Sequence, residues 1–336
     1  MNVKKTYAIL LAILAAVFYA AGTPFSKVLM RYAGPTMLAA FLYLGAGVGI
    51  AVLYFCRKDK GEPGERLSRA DLPYTIGMIL LDIAAPILLM NGVERTAAAN
   101  VSLLGNFEIV ATALIAFGIF HEKISRIMWA ALFLVTASSV VLSFEGASSL
   151  HFSAGSLMVL GAAACWGLEN NCTRMISNKS TYEIVILKGL FSGSASLLIA
   201  LVIGEKVPAV PVMGATLLLG FVAYGLSIFT YIRAQSVIGA AKTSAFYALA
   251  PFISAALSFL ILKEHLSAMY AAGLLIMIPG SLLAVIDTLK YRHSHIHSHT
   301  VYHIVNGHLR KEVITHEHEH THIGPGLAHH HEEHVH

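Results

Sequence analysis

Long apolar runs separated by short polar breaks dominate the chain. The runs fall at 6–26, 35–55, 72–91, 97–120, 127–144, 154–176, 183–203, 212–232, 241–262 and 268–288. A helix of about twenty residues crosses a hydrocarbon layer of ~30 Å, and each run has that length. The breaks carry loop chemistry: "RKDKGEPGERLSRAD" at 57–71, "EGASSLHFS" at 145–153 and "GEKVPAVP" at 204–211. The pattern predicts an all-α polytopic membrane protein with ten transmembrane helices. The first run follows Lys4 and Lys5 and ends near a small-residue "AAG" at 20–22, as a secretory signal would. It is read as a retained first helix, because nine further spans follow it.

Composition supports the pattern. Of 336 residues, 56% are hydrophobic and 12% charged, against about 25% charged in soluble domains. The net charge of +4 is no argument for nucleic acid, because the Lys and Arg residues are spread over loops. With the amino terminus in the cytoplasm, 18 of the 23 fall on the cytoplasmic side. Lys27, Arg31, Arg95, Lys206 and Lys263 fall outside. The positive-inside rule therefore places both termini in the cytoplasm of a cell (inner) membrane protein. Cys165 and Cys172 are seven residues apart on one helix, roughly 10 Å along its axis, too far for a disulfide.

The chain also repeats itself. "FHEKISRIMWAALFLVTASSVV" (120–141) aligns with "LKEHLSAMYAAGLLIMIPGSLL" (262–283), placing Glu122 on Glu264 and Ser125 on Ser267. The same offset places 97–104 on 239–246. "FYAAGTPFSK" (18–27) aligns with "CWGLENNCTR" (165–174), with Lys27 on Arg174. Two five-span halves result, 1–146 and 147–289. An odd number of spans per half forces them into opposite orientations, a signature of transporters whose substrate site lies between the halves.

Ten spans, two five-span repeats and a His-Glu or Lys-Glu turn between the fourth and fifth span of each half resemble the EamA-type transporters of the drug/metabolite transporter superfamily. The residues carrying the resemblance are 106–125, 248–267 and Trp166-Gly167, and it covers roughly residues 6–288. It implies a transporter of small metabolites, more often exporting than importing. The family often has Glu-Pro at the start of the fourth span of a repeat. Here the first half has Glu108-Ile109 and the second Ala250-Pro251, so Glu108 has no repeat-mate.

Charged groups inside spans are expensive and mark pathways. Asp82 and Glu108 lie near mid-bilayer in sequential spans, so they are expected to share a proton or bind a cation. Glu169 and Lys188 lie at similar depths in the sixth and seventh spans and are expected to pair across that hairpin. Asn170 and Thr173 either line a cavity or join helices. Trp166 and Tyr19, at matched repeat positions, are cavity aromatics or packing residues. Lys27 and Arg174 are expected to snorkel to opposite interfaces.

Residues 290–336 form a different segment. Two runs interleave histidine with polar residues: His293, His295, His297 and His299, then His316, His318, His320 and His322. A third group is His329, His330, His331, His334 and His336. The segment reads as a disordered His-rich cytoplasmic tail that binds a divalent metal such as Ni, Co or Zn. Transport itself requires no cofactor on this reading. The expected partners are a small-molecule or ion substrate and the lipid bilayer, with a homodimer admitted and nucleic acid excluded. No nucleophile–base pair or phosphate loop argues for an enzyme. The rivals are a divalent-metal exporter regulated by its tail and a membrane-bound metal sensor that transports nothing.

Overall fold

The computed structural model describes residues 3–56, 65–121, 124–146, 149–176, 179–238, 243, 246–264, 267–305 and 308–323. Helices α1 (Val3–Leu29), α2 (Pro35–Cys56) and α3 (Leu72–Arg95) follow the first three apolar runs. The fourth run is broken into α4 (Ala98–Leu104) and α5 (Phe107–Phe120), and α6 (Arg126–Leu142) closes the first half. A short antiparallel pair, β1 (Phe144–Gly146) and β2 (Ser149–Phe152), lies within the central connection. Helix α7 (Ala154–Met175) opens the second half, followed by α8 (Thr181–Leu187) and α9 (Gly193–Val202). Next come α10 (Val210–Gly220), α11 (Ser227–Ile238), α12 (Ala250–Leu262) and α13 (Ala268–Leu289). π-helical turns at Lys188–Ser192 and Phe221–Leu226 join α8 to α9 and α10 to α11.

Seven helical stretches among the described residues are long and apolar enough to span a membrane. Helices α6 and α12 are apolar but shorter, at 17 and 13 residues. Helix α7 has 22 residues, but its second half carries Glu169, Asn170, Asn171, Thr173 and Arg174. Large apolar side chains such as Val202, Phe55 and Leu260 face outward, as lipid rather than water requires. The inner contacts use small residues. Ala8, Ala12, Ala16 and Ala20 are fully buried at a spacing of four, one stripe of α1, and α1 packs on α11 and α12.

The backbone repeats where the sequence does. His121 and Lys263, 142 positions apart, end α5 and α12 in the left-handed conformation, with φ of 54° and 53°. They are the non-glycine residues with positive φ among those described. Ser125 and Ser267 each accept a hydrogen bond from the backbone N–H three residues on, at 3.0 Å in both cases. The packing is also paired: α3 lies on α7 as α11 lies on α1, and α5 lies on α7 as α12 lies on α1. Helices α6 and α13 pack on each other, as do α2 and the α8–α9 stretch.

The tail departs from expectation. Instead of lacking structure, residues 290–305 and 308–323 pair as two long antiparallel strands, β3 (Lys290–Val305) with β4 (His308–Ile323). The physical reason is local. Both strands contain Ile, Val and Thr, and the first also Tyr291 and Tyr302, residues that favour strands. Asn306-Gly307 separates them, the two-residue sequence that most strongly favours a tight hairpin turn. His329, His330, His331, His334 and His336 lie outside the described residues.

Candidate functional site

Helices from both halves converge on a buried polar cluster. Its centre is Lys188, the first residue of a π-helical turn; such turns are frequent at functional sites. Lys188 Nζ lies 3.1 Å from Asp82 Oδ2 and 3.2 Å from Glu169 Oε1. Asp82 is fully buried. Its other oxygen accepts a 3.0 Å hydrogen bond from the Tyr43 hydroxyl, which accepts one of 3.3 Å from Trp166 Nε1. Thr173 donates to Glu169. One cation therefore sits between two carboxylates, each with a neutral donor beside it: Tyr43 on the second oxygen of Asp82, and Thr173 on the Glu169 oxygen that Lys188 also contacts. Burying an ion pair is tolerable only with such supporting hydrogen bonds.

Close helix approach makes this geometry possible. A Cβ on Gly47 would fall 2.7 Å from Leu190 N, so glycine there lets α2 bring Tyr43 beside the turn that bears Lys188. A Cβ on Gly167 would fall 2.8 Å from Thr112 N, so α7 lies against α5. Through that contact Asn170 Nδ2 donates to Glu108 Oε1 at 2.7 Å and to Thr112 Oγ1 at 3.3 Å. Asn171 Nδ2 donates to the Thr112 carbonyl at 3.1 Å.

Glu108 lies in the first turn of α5, just after the break in the fourth run. There the backbone bonds shorten by one residue: Asn106 N to Leu103 O, Glu108 N to Gly105 O and Ile109 N to Asn106 O. The buried Asn106 Nδ2 has no hydrogen-bond partner among the described residues. A carboxyl at a restarted helix N-terminus faces the positive end of the helix dipole, and discontinuous helices of this kind form transporter sites. Tyr19 and Tyr247 are within electrostatic reach of Glu108. The Tyr19 ring lies 5.5 Å from Tyr247 and 6.2 Å from Tyr224, and Tyr224 lies 5.6 Å from Tyr43. These rings form a chain that runs from the neighbourhood of Glu108 to Tyr43, the partner of Asp82.

Glu169 and Lys188 pair as their depths in the sequence suggested. Asn170 reaches Glu108, Trp166 reaches Tyr43, and Tyr19 joins the tyrosine cluster. Asp82 and Glu108 take different partners instead of sharing a proton directly, because α7 packs against both α3 and α5 and inserts its own Glu169 and Asn170. Tyr43, Thr112 and Tyr247 escaped sequence reasoning. A tyrosine in an otherwise apolar span was the available signal for Tyr43. Tyr224 occupies the position 142 residues after Asp82, its counterpart in the repeat.

One end of the bundle is tied by contacts both within the first half and across the halves. Lys27 Nζ donates to the carbonyls of Val93, Glu94 and Thr96, so it caps α3 instead of snorkelling. Glu264 accepts from Ala98 N at 2.8 Å and Ala99 N at 3.0 Å, the first amides of α4. Glu205 caps α2 in the same way, through Thr36 N and Met37 N. Removing an N-cap costs ~1 kcal/mol. Exchange of the Ala98 and Ala99 amides is therefore expected to quicken several-fold in Glu264→Ala, measured by hydrogen exchange in detergent. Unchanged exchange would show that the contact does not hold this end. On the opposite face, Lys179 bonds Glu65 at 2.9 Å, and that carboxylate raises its pKa.

A helical membrane bundle of two repeated halves with a buried, charged cluster between them is the architecture of an integral membrane transporter. The chain belongs to the EamA-like transporter family, whose model matches it twice, over residues 6–144 and 153–286. It is similar to an uncharacterized transporter of Methanothermobacter thermautotrophicus, 25% identical over 300 residues that cover 82% of this chain and 85% of that one. It is also similar to the uncharacterized transporter YyaM of Bacillus subtilis, 24% identical over 289 residues, covering 82% and 93%. A solved crystal structure shares the fold with a TM-score of 0.59 at 16% identity, covering 83% of this chain and 96% of that one. Among the residues whose side chains are described, no three His, Cys, Asp or Glu groups converge to hold a metal ion.

Proposed function

We propose that the chain is a secondary active transporter that exports a small polar organic solute, coupled to protons, by alternating access. Ten spans would form two inverted halves, 1–146 and 147–289, with both termini in the cytoplasm. The observation that carries the reading is the Glu108–Asn170 hydrogen bond. It joins the restarted helix of one half to the polar helix of the other, beside a cluster of tyrosines. A carboxyl there can exchange a proton for a donor group of the solute, an amine or hydroxyl, as the halves rock. The Asp82–Lys188–Glu169 cluster would fix the facing wall. The Glu264 and Glu205 contacts that join the halves lie at the end that the positive-inside rule puts outside, so the conformation described would be closed to the exterior.

A second reading, export of a divalent metal, draws support from the histidine-bearing hairpin. Reconstituted vesicles with an imposed pH gradient separate the two. The favoured reading predicts gradient-driven accumulation of an organic solute from an amino-acid and metabolite panel. Accumulation of Zn, Ni or Co alone would favour the second, and no accumulation of either would contradict both.

A further inference from the structure

The register of the hairpin contains more than its composition. Lys290 pairs with Ile323, and the pairing runs without a slip to Val305 with His308. His293 is therefore opposite His320, His295 opposite His318, and His297 opposite His316. Alternate residues of a strand share a face. The odd-numbered positions of β3 and the even-numbered positions of β4 share one. All ten histidines of the two strands fall on it: His293, His295, His297, His299 and His303, with His308, His316, His318, His320 and His322. Glu317 and Glu319, which the sequence interleaves with histidine, fall on the other face opposite Ile296 and Ser294.

We propose that this face is a multi-ion site for borderline divalent cations of the zinc, nickel and cobalt class, built on the three directly opposed His–His rungs. Directly opposed residues have Cα atoms about 4.5–5.5 Å apart, and successive rungs on a face are about 6.7 Å apart. That spacing suits imidazoles ligating a common ion at ~2.0 Å each. His322 extends the ladder beyond the first rung, opposite Tyr291, and His299 beyond the third, opposite Ile314. Eight histidines in a ladder supply four nitrogen ligands to each of two ions. Glu317 and Glu319 fall on the other face, and Glu312, on the histidine face opposite Val301, lies beyond His299, so the three His–His rungs themselves offer imidazole alone. That donor set therefore selects zinc, nickel or cobalt over magnesium or calcium. A histidine-rich tail without structure would bind by composition. Here the strand register does the sorting, and the site does not depend on what the membrane part carries.

Composition and register separate cleanly by experiment. The full-length protein is used in detergent, with the five histidines at 329–336 replaced by alanine throughout, and titrated with Zn(II) and Co(II). The parent is expected to bind about two ions, with the visible absorption of four-coordinate cobalt. The first variant exchanges neighbours along β4 (T315H, H316T, E317H, H318E, E319H, H320E, T321H, H322T). It keeps every residue type but moves four histidines to the other face. Affinity is expected to fall at least tenfold and the cobalt signal to disappear. The second variant adds the same exchange along β3 (H293S, S294H, H295I, I296H, H297S, S298H, H299T, T300H). It rebuilds the three rungs on the opposite face, at 294/319, 296/317 and 298/315, and is expected to restore binding. Equal binding by parent and first variant, failure of the second to recover, or no binding by the parent would each overturn the proposal.

Discussion

Replacing Lys188 with methionine is expected to be the most damaging single change in the membrane part. The side chain is compensated by Asp82 at 3.1 Å and Glu169 at 3.2 Å. Removing it leaves two carboxylates deep among helices with only Tyr43 and Thr173 beside them. Breaking one side of a buried ion pair costs about 3–5 kcal/mol, a large share of a typical folding stability. The expected result is a clear loss of thermal stability, read by intrinsic fluorescence, with transport abolished. The triple variant Lys188→Met, Asp82→Asn, Glu169→Gln removes the charge imbalance along with the cation. It is expected to recover most of the stability, because a neutral cluster carries little desolvation penalty. Recovered transport in the triple variant would show the cluster to be structural. Recovered stability without transport would assign it to the transport cycle. A stable single variant would show that the pair is not held as described.

The second large effect is expected at Glu108, and it has the opposite character. Glu108→Gln keeps the shape and the oxygen that accepts from Asn170, so stability is expected to change by less than about 1 kcal/mol. Uphill, gradient-driven movement of solute is expected to fall to the level of empty vesicles. Exchange of labelled for unlabelled solute is expected to persist, since it requires no net proton step. Loss of both would make Glu108 a binding group, and retention of both would remove it from the mechanism.

Much of this architecture was legible in the sequence. The apolar runs anticipated nearly every helix boundary to within a few residues, because in lipid the backbone can only hydrogen-bond to itself along a helix. The repeat was legible because its matched residues have jobs in the backbone: Ser125 and Ser267 cap helices, and His121 and Lys263 end them. The Glu169–Lys188 pair was legible from depth alone. Helix neighbours were not. Asp82 and Glu108 lie in consecutive spans, yet α7 from the other half packs against both α3 and α5. No one-dimensional pattern records that insertion. The break at Gly105–Asn106 was hidden by the apolar residues on both sides. In the tail, low complexity suggested disorder, while Asn306-Gly307 and the strand-favouring residues on either side of it specify a hairpin.

The central claim is that the polar cluster around Glu108 and Lys188 binds the transported solute. Its most direct test is thermal unfolding of protein truncated after Leu289, against amino acids, other small metabolites and Zn, Ni, Co and Mn ions. A ligand bound only by the folded state raises the apparent stability. Stabilisation by an organic solute is predicted, and it should be retained in Glu108→Gln, which keeps the shape of the site and its bond from Asn170. No stabilisation by any organic solute, or stabilisation by a metal ion alone, would contradict the claim.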